Sequence, residues 1–359
     1  MKFTIEMIIT GAISFVMVLI LVPGLKNLAY KTGLVDKPNH RKIHANAIPL
    51  TGGVAIVLAT AMALLVSKTF LLGIHQHIYM LCAGLLMLIV GALDDRMDIR
   101  PVYRLVIQFG CAYMMAASGL RITSLYGIFG ISEISVVFQY VLTIFVIVGV
   151  VNAFNLMDGI DGLAGSLAVV GFTAFSVISY SFGKYELTII FIALIGSIVG
   201  FLRFNLSKNK IFMGDGGSLF LGFILVVSGI QLIELTNVHH AIDQSLVLMV
   251  VISIFLVPVL DSIRVYAGRI KEGISPFSAD KSHLHHLFLL TGLNHKFTAL
   301  AIVFSTILLI SITLSLAFYF PMTIVLILAW IAFKLLTKFL NTNKSLKEWK
   351  DRIHQMESE

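Results

Sequence analysis

Apolar runs about as long as a lipid bilayer is thick recur along the chain, and they restrict its fold more than any other feature. A helix that spans the hydrocarbon core needs about 20 mostly apolar residues. Eleven segments approach this length: residues 5–24, 50–70, 76–93, 102–120, 134–155, 163–182, 186–203, 217–235, 245–264, 297–317 and 321–340. The sequence therefore predicts an all-α, polytopic transmembrane helical bundle of about eleven spans.

The composition supports a membrane protein and leaves little room for a soluble one. Hydrophobic residues make up 58% of the 359 residues and charged residues only 13%, whereas soluble domains average about 45–50% and about 25%. The formal net charge of +7 is typical of cytoplasmic loops that face anionic lipid. Nucleic-acid binding is disfavoured, because the basic residues are spread over many short loops.

Lysine and arginine are distributed unequally between the two ends of the predicted spans. If successive spans alternate in direction, four of the 26 basic side chains fall on one side and the other 22 on the opposite side. The four are Lys2, Lys68, Arg121 and Lys184. Because cytoplasmic loops are enriched in Lys and Arg, this asymmetry predicts an outside N-terminus and a cytoplasmic C-terminus. It also favours an odd number of spans.

The last residues differ from the predicted transmembrane domain, which covers residues 1–343. Residues 344–359 form a basic tail in which Leu346, Trp349, Ile353 and Met356 recur at helical spacing. A short amphipathic helix on the inner leaflet fits this pattern, and a solvated tail fits it equally well.

The first of five polar clusters ends the third predicted span, at Asp94, Asp95 and Asp98. Adjacent carboxylates repel each other unless a divalent cation or a cationic partner lies nearby. Asp94 and Asp98 are four residues apart, so both could face one side of a helix end. The alternative is a charged helix terminus held by the neighbouring arginines.

The second cluster begins with Asn152, Asn155 and Asp158, which are spaced by three residues. On a helix they would cover roughly a third of the circumference. Glycines on both sides of Asp161 loosen the backbone, so its carboxylate can turn toward the same place. Carboxylates and amides suit Mg²⁺ and substrate hydroxyls, although buried amides also join neighbouring spans.

The third cluster is a glycine-rich turn, Gly-Asp-Gly-Gly-Ser, over residues 214–218. Its backbone N–H groups and the positive end of the following helix could bind a phosphate. Gly214 would allow close approach, and Asp215 could hold a cation that bridges the phosphate. Asp215 could instead be a simple helix cap.

Two further clusters are basic or rich in histidine. His283, His285 and His286 stand within four positions of the loop at 265–296. They predict a site for a substrate phosphate rather than zinc, because a zinc site would need further Cys or carboxylate ligands. Lys42 and His44 precede a Pro- and Gly-rich entry to the second span. They would bind either a diphosphate or lipid head groups.

All five clusters lie on the cytoplasmic side of the predicted topology. Together they are typical of a site for Mg²⁺ and a diphosphate, where a cytoplasmic nucleotide sugar would meet a lipid phosphate. The polar residues of the opposite side are interpreted as solvated loop residues. They are Glu133, Glu186, Glu234, His239, His240 and Asp243.

These motifs resemble those of the polyprenyl-phosphate N-acetylhexosamine-1-phosphate transferases, a family that includes muramoyl-pentapeptide transferase. The resemblance covers about residues 5–340. It implies an enzyme that transfers N-acetylhexosamine 1-phosphate, most simply GlcNAc 1-phosphate, from a UDP-sugar to undecaprenyl phosphate and releases UMP. It further implies a Mg²⁺ cofactor, replaceable by Mn²⁺, and an active site on the cytoplasmic face of the bacterial inner membrane. A homodimer is one assembly that such an enzyme could form.

The resemblance also assigns roles to individual residues. Asp161 and Asp215 would bind the metal, and the three aspartates of the first cluster, Asp94, Asp95 and Asp98, would be catalytic. The remaining motif residues would bind substrate: Lys42, His44, Asn152, Asn155, Asp158, Gly214, His283, His285 and His286.

Two departures indicate the branch of the family. Muramoyl-pentapeptide transferases typically carry a lysine where this chain has Asp98, and three consecutive histidines where this chain has Leu284 between histidines. Both departures favour the branch that begins O-antigen, enterobacterial common antigen or teichoic acid from UDP-GlcNAc. The muramoyl-pentapeptide branch is the alternative. A secondary transporter is disfavoured, because the charges lie at span ends and no internal repeat is visible.

Overall fold

Helices dominate the fold of the protein, which is described by a computed structural model over residues 2–37, 46–238, 242–275 and 282–358, with side chains as far as residue 342. The helices are α1 Lys2–Thr32, α2 Gly52–Leu64, α3 Lys68–Gly73, α4 Ile78–Met97, α5 Pro101–Ala117, α6 Val136–Met157, α7 Leu163–Ser181, α8 Tyr185–Asn205, α9 Gly214–Leu235, α10 Gln244–Lys271, α11 Leu284–Leu290, α12 His295–Ala317 and α13 Met322–Ser358. Two short strands, β1 Val35–Asp36 and β2 Ile48–Pro49, pair antiparallel.

The helices confirm a polytopic bundle, whereas the predicted number of eleven spans is not confirmed. Nine helices in the described ranges are long and apolar enough to cross a membrane, and the bent pair of α2 and α3 raises the number to ten. The axes of this pair turn by 92° at the break, inside the segment predicted as one span at 50–70. Helix α5 has only 17 residues, fewer than the ~20 that a span needs.

A carboxylate from the first helix holds the bend between α2 and α3. Glu6 accepts hydrogen bonds from the Ser67 hydroxyl at 2.6 Å and from the backbone N–H and hydroxyl of Thr69 at 2.9 and 2.7 Å. The Ser67 hydroxyl oxygen in turn accepts from the N–H of Phe70 and caps α3. The bend is stabilised because the N–H of Thr69 and the hydroxyls of Ser67 and Thr69 share an acceptor in α1, and Ser67 caps the N–H of Phe70.

Helix α9 is the centre of the bundle. It is apolar along its length, and 83% of its most apolar window is buried. Helices α2, α4, α6, α7 and α10 all pack against it. A helix that is hydrophobic on every side is buried on every side, so the sequence of α9 explains its central position.

Glycines allow the first turn of α9 to touch the backbones of two other helices. A Cβ atom added at Gly91 of α4 would lie 2.4 Å from the Cα of Gly216, and one added at Gly53 of α2 would lie 2.3 Å from the Cα of Gly217. Small residues permit such close approach between membrane helices. The glycine-rich turn is therefore a packing junction, and it places the acidic end of α4 beside the start of α9.

Two features of the termini and outer loops differ from the sequence-based interpretation. Helix α13 continues without a break through residue 343, so the tail extends the last helix instead of forming a separate one. Glu234 is not a solvated loop residue. It accepts hydrogen bonds from the Tyr126 hydroxyl at 2.6 Å and from Thr123 and Asn237. Burial and the neighbouring Glu234 carboxylate raise the pKa of Tyr126.

We expect Gly91→Ala to destabilise the protein, because its methyl group would overlap the backbone of Gly216. Overpacking of this kind costs about 1–3 kcal/mol. Thermal unfolding in detergent measures the effect. Gly110→Ala is the matched control, since nothing lies within 4 Å of a Cβ there, and removing a helical glycine should stabilise by about 0.5–1 kcal/mol. Equal melting temperatures for the two variants would contradict the packing junction.

Candidate active site

A cavity of about 960 Å³ opens where α4, α6 and α8 end and where α9 and α12 begin. Carboxylates, amides and basic side chains line it. The polar and glycine lining residues are Asp36, Asp95, Asn155, Asp158, Gly159, Asp161, Asn205, Lys210, Gly214, Asp215, His286, Asn294, His295 and Lys296. Residues of three of the predicted clusters thus share one cavity with part of the histidine cluster.

The carboxylate of Asp95 is bound to the start of α9. It accepts hydrogen bonds from the backbone N–H groups of Asp215 at 2.9 Å and Gly216 at 3.3 Å. A carboxylate is favoured there because the N-terminus of a helix carries a partial positive charge. Asp95 therefore contacts two of the N–H groups that were predicted to bind a phosphate.

Arg104 of α5 connects the first and third clusters. Its Nη1 donates to Asp94 Oδ2 at 2.7 Å and to Asp215 Oδ2 at 2.9 Å. Asn155 donates from Nδ2 to the other oxygen of Asp215, at 3.1 Å. The Asp215 side chain is 39% exposed and lines the cavity, so it is not a helix cap. Arg104 separates two carboxylates that would otherwise repel each other.

The turn after α6 brings two more carboxylates to the cavity. Gly162 adopts a φ of +83°, and its N–H donates to the Asn205 side chain at 2.7 Å. This arrangement turns Asp161 toward Lys210, with 2.8 Å between Oδ2 and Nζ. Burial raises the pKa of Asp158 well above its usual range, and the carboxylates of Asp215, Asp95 and Asp161 raise it further.

Asp94, Asp98 and Asn152 were predicted at the site but do not line the cavity; Asp94 reaches it only through Arg104. Asn152 donates from Nδ2 to Gln108 Oε1 at 2.6 Å, so it joins α6 to α5 as a buried amide does between spans. Asp98 is exposed in the left-handed region, with a φ of 49°, because α4 ends at Met97. The expectation that Asp94 and Asp98 share a helix face is therefore wrong.

The three histidines of the predicted cluster lie next to one another, but they have different partners. Asp261 Oδ2 pairs with His283 Nδ1 at 3.0 Å, and its carboxylate also accepts from the N–H of Leu284. His285 is 3% exposed, and a Cβ at Gly159 would lie 2.5 Å from its Nε2. Only His286 lines the cavity. The three rings nevertheless lie side by side, with 6.0 Å between the ring centres of His283 and His285 and 4.3 Å between those of His285 and His286, so the predicted cluster reaches the cavity through its last member.

Some residues of the site were not found from sequence, and some predicted ones lie outside the described residues. Lys42 and His44 belong to the second group. Asn205 and Asp261 were missed. Asn205 lies two residues beyond the segment predicted at 186–203, whereas Asp261 is a polar side chain inside the apolar segment predicted at 245–264. Such a residue is itself a signal for a functional or structural role in a membrane protein.

The region that carries this geometry matches a known family. The model of glycosyl transferase family 4 matches residues 77–233. An undecaprenyl-phosphate alpha-N-acetylglucosaminyl 1-phosphate transferase from Salmonella typhi is 34% identical over 317 residues, which cover 86% of this chain and 84% of the relative. The chain belongs to glycosyl transferase family 4.

Two further relatives support this assignment. A protein of the same name from Yersinia pestis is 35% identical over 76% of this chain and 73% of its own length. A probable undecaprenyl-phosphate N-acetylglucosaminyl 1-phosphate transferase from Bacillus subtilis (strain 168) is 32% identical over 83% and 81%. The prediction of a membrane-embedded transferase is confirmed. The transporter alternative is excluded, because the family consists of glycosyl transferases.

We expect His285→Gln to reduce the loss of stability on acidification. Burial lowers the pKa of His285 to about 3, against about 6.5 in an unfolded chain. Below pH ~6.5 the unfolded state binds this proton and the folded state does not. The free energy of unfolding therefore falls as the pH falls toward 3, by up to about 1.4 kcal/mol per pH unit.

The measurement is chemical unfolding in detergent at pH 7.5 and pH 5.5. His75→Gln provides the control, because His75 is exposed and its loss should leave the pH dependence unchanged. Identical pH dependence in the wild type and the His285 variant would show that His285 is not held neutral.

Proposed function

We propose that this protein transfers N-acetylglucosamine 1-phosphate from UDP-GlcNAc to undecaprenyl phosphate and releases UMP, as the first membrane step of a cell-surface glycan. The observation that carries the proposal is one cavity lined by carboxylates from α4, from the turn after α6 and from α9. Relatives of similar length are named for transfer of this sugar phosphate to this lipid. The same names, with Asp98 and Leu284, favour this reaction over the muramoyl-pentapeptide one.

We propose that the site faces the cytoplasm at the inner membrane. The cavity is lined by the ends of α4, α6 and α8 and by the starts of α9 and α12. Those ends fall on the side to which alternating spans assign 22 of the 26 basic residues. An outside N-terminus and eleven crossings follow if α5 and the bent pair each cross the membrane.

Magnesium fits the donors of the cavity, with manganese as a substitute. Its preferred ligands are oxygen atoms, and Mg²⁺ commonly takes one or two carboxylates and completes its shell with water and substrate phosphates. Within the described residues no three acidic, His or Cys side chains form a ready ligand group, which agrees with such a partial set. We assign Asp161 and Asp215 as the ligands, and the ion would neutralise charge on the diphosphate.

The chemical step needs little from the protein beyond alignment. A phosphate monoester has its second pKa near ~6, so the lipid phosphate is largely a dianion at neutral pH. One of its oxygens attacks the β-phosphorus of the UDP-sugar, the bond from that phosphorus to the UMP oxygen breaks, and UMP leaves with the electron pair. Phosphoryl transfer of this kind depends on positioning and on neutralisation of charge.

The contacts suggest how the chain provides this alignment. Asp95 fixes the start of α9, and Asp94 orients Arg104 beside Asp215. Both therefore act as positioning residues, and neither needs to remove a proton from the dianion. Lys210 now pairs with Asp161 and would turn to the diphosphate when a cation replaces it.

The roles of the remaining predicted residues depend on whether they line the cavity. Asn155, Asp158, Gly214 and His286 line it and would contact the nucleotide sugar. His283 and His285 act through the placement of α11, and Asn152 acts through the junction of α5 and α6. Asp98 has no place in this scheme, because it lies outside the cavity. Lys42 and His44 keep their predicted role at the diphosphate or the lipid head group.

We expect Asp215→Asn and Asp161→Asn each to lower UMP release by on the order of 100-fold or more, because each removes a charge at the diphosphate. The assay uses purified protein, undecaprenyl phosphate, UDP-GlcNAc and Mg²⁺, and chelation by EDTA should have an equally large effect. Asp243→Asn is the matched control. It makes the same change at the cap of α10, at the opposite end of the bundle, where asparagine caps as well as aspartate. Near-normal turnover in both site variants would contradict the assignment of Asp161 and Asp215 as metal ligands.

We expect UDP-GlcNAc to be the productive donor in a panel of UDP-sugars. Membranes that contain the protein should release UMP and form a lipid-linked sugar in equal amounts. Mass spectrometry of the lipid fraction identifies the product. If no UDP-sugar gives a lipid-linked product, the proposed function is wrong.

A further inference from the structure

A second cavity, of about 630 Å³, lies between α10 and α13. We call it the basic groove. Arg264 contributes from α10, and the other lining residues belong to α13: Ile331, Lys334, Leu335, Thr337, Lys338, Asn341 and Thr342. The two sets of lining residues have no member in common, so the basic groove is distinct from the candidate active site.

The two lysines of the basic groove have no acidic partner among the described residues, whereas Arg264 is paired with Asp261 outside the groove lining. Arg264, Lys334 and Lys338 line it, and none of its described lining residues is acidic. Lys334 and Lys338 are four residues apart on one helix, a spacing at which like charges destabilise. Neither lysine forms an ion pair with a carboxylate in the described residues. An anion between α10 and α13 would remove this repulsion.

The basic groove lies where the membrane–water interface is expected, and this position favours a lipid anion. The apolar stretch of α13 gives way to basic residues at Lys334. Lys334 Nζ lies 4.2 Å from the centre of the Trp330 ring, and tryptophan and lysine are typical of the membrane–water interface. Ile331 and Leu335 are 41% and 63% exposed, so apolar surface adjoins the cations.

We propose that the basic groove binds the head-group phosphate of an anionic phospholipid, with its acyl chains along Ile331 and Leu335. Basic pockets between transmembrane helices are suited to such head groups. A soluble anion would gain nothing from the apolar side of the groove, whereas a lipid gains from both sides. This inference goes beyond the proposed function and does not depend on it.

Arg264 connects the basic groove to the candidate active site. Its Nη2 donates to Asp261 Oδ1 at 2.7 Å and to the carbonyl oxygen of Ser282. The other oxygen of Asp261 holds His283, three residues before His286 in the active-site cavity. A phosphate on Arg264 therefore fixes the residue that anchors the histidine segment, so the bound lipid also steadies α11.

The test measures lipid binding in the purified full-length protein. Phosphatidylglycerol, phosphatidylcholine and inorganic phosphate are added separately to detergent-solubilised protein. Thermal unfolding and native mass spectrometry then report stabilisation and retained lipid. Of the three additives, we expect only phosphatidylglycerol to raise the melting temperature and to remain bound to the protein.

Three double variants are compared: one removes the charges of the groove lysines, one conserves them, and one removes two charges elsewhere. Lys334→Gln/Lys338→Gln should weaken phosphatidylglycerol binding by about 10- to 30-fold, from ~1 kcal/mol per basic residue. Lys334→Arg/Lys338→Arg should restore it. Arg203→Gln/Lys208→Gln removes two exposed charges from the same predicted side, outside both cavities, and should bind as the wild type does.

Each contrary result overturns the proposal. Undiminished binding by the glutamine variant of the two groove lysines would show that the groove is not the site. Equal stabilisation by phosphatidylcholine would show that charge does not matter, and equal stabilisation by inorganic phosphate would show that the ligand is not a lipid. No UDP-sugar enters the experiment, so its outcome is independent of the transferase assays.

Discussion

The contact between α4 and the start of α9 is the interaction on which the rest of the site depends. Gly91 and Gly216 allow the two backbones to meet, and Asp95 then accepts hydrogen bonds from the first N–H groups of α9. This interface thus provides acceptors for the first N–H groups of α9 and a favourable position for the Asp95 carboxylate. It also holds Asp215 beside Arg104. The arrangement places negative charge where a diphosphate and its cation would bind.

Arg104 shows how a site can hold several carboxylates before its substrate arrives. Its guanidinium lies between Asp94 and Asp215, and Lys210 plays the same part for Asp161. Both cations belong to the protein, and they reduce the repulsion between the carboxylates. Binding of a divalent cation would exchange one set of ion pairs for another, which costs less than exposing bare charges.

Much of this could be read from sequence, and the remainder depends on distances between helices. Apolar length predicted the helices, and the placement of Asp161, Asn155 and Asp215 in one cavity agrees with their spacing and shared side. The bend at Ser67 was missed because its cause, Glu6, is more than sixty residues away. The packing role of Gly216 and Gly217 was missed, because a turn that could accept a phosphate and one that packs against α4 have the same residues. Asp98 was misplaced because α4 was expected to continue past Met97, although Pro101 marks a helix boundary nearby.

The contact between Gly159 and His285 has a consequence for how this protein can change. The imidazole occupies the volume that any Cβ at position 159 would need, although the two residues are far apart in the chain. Substitution at either position is therefore conditional on the other. In a large set of related sequences, a side chain at 159 should occur together with a smaller residue at 285, so that the turn after α6 and the histidine helix evolve as one unit.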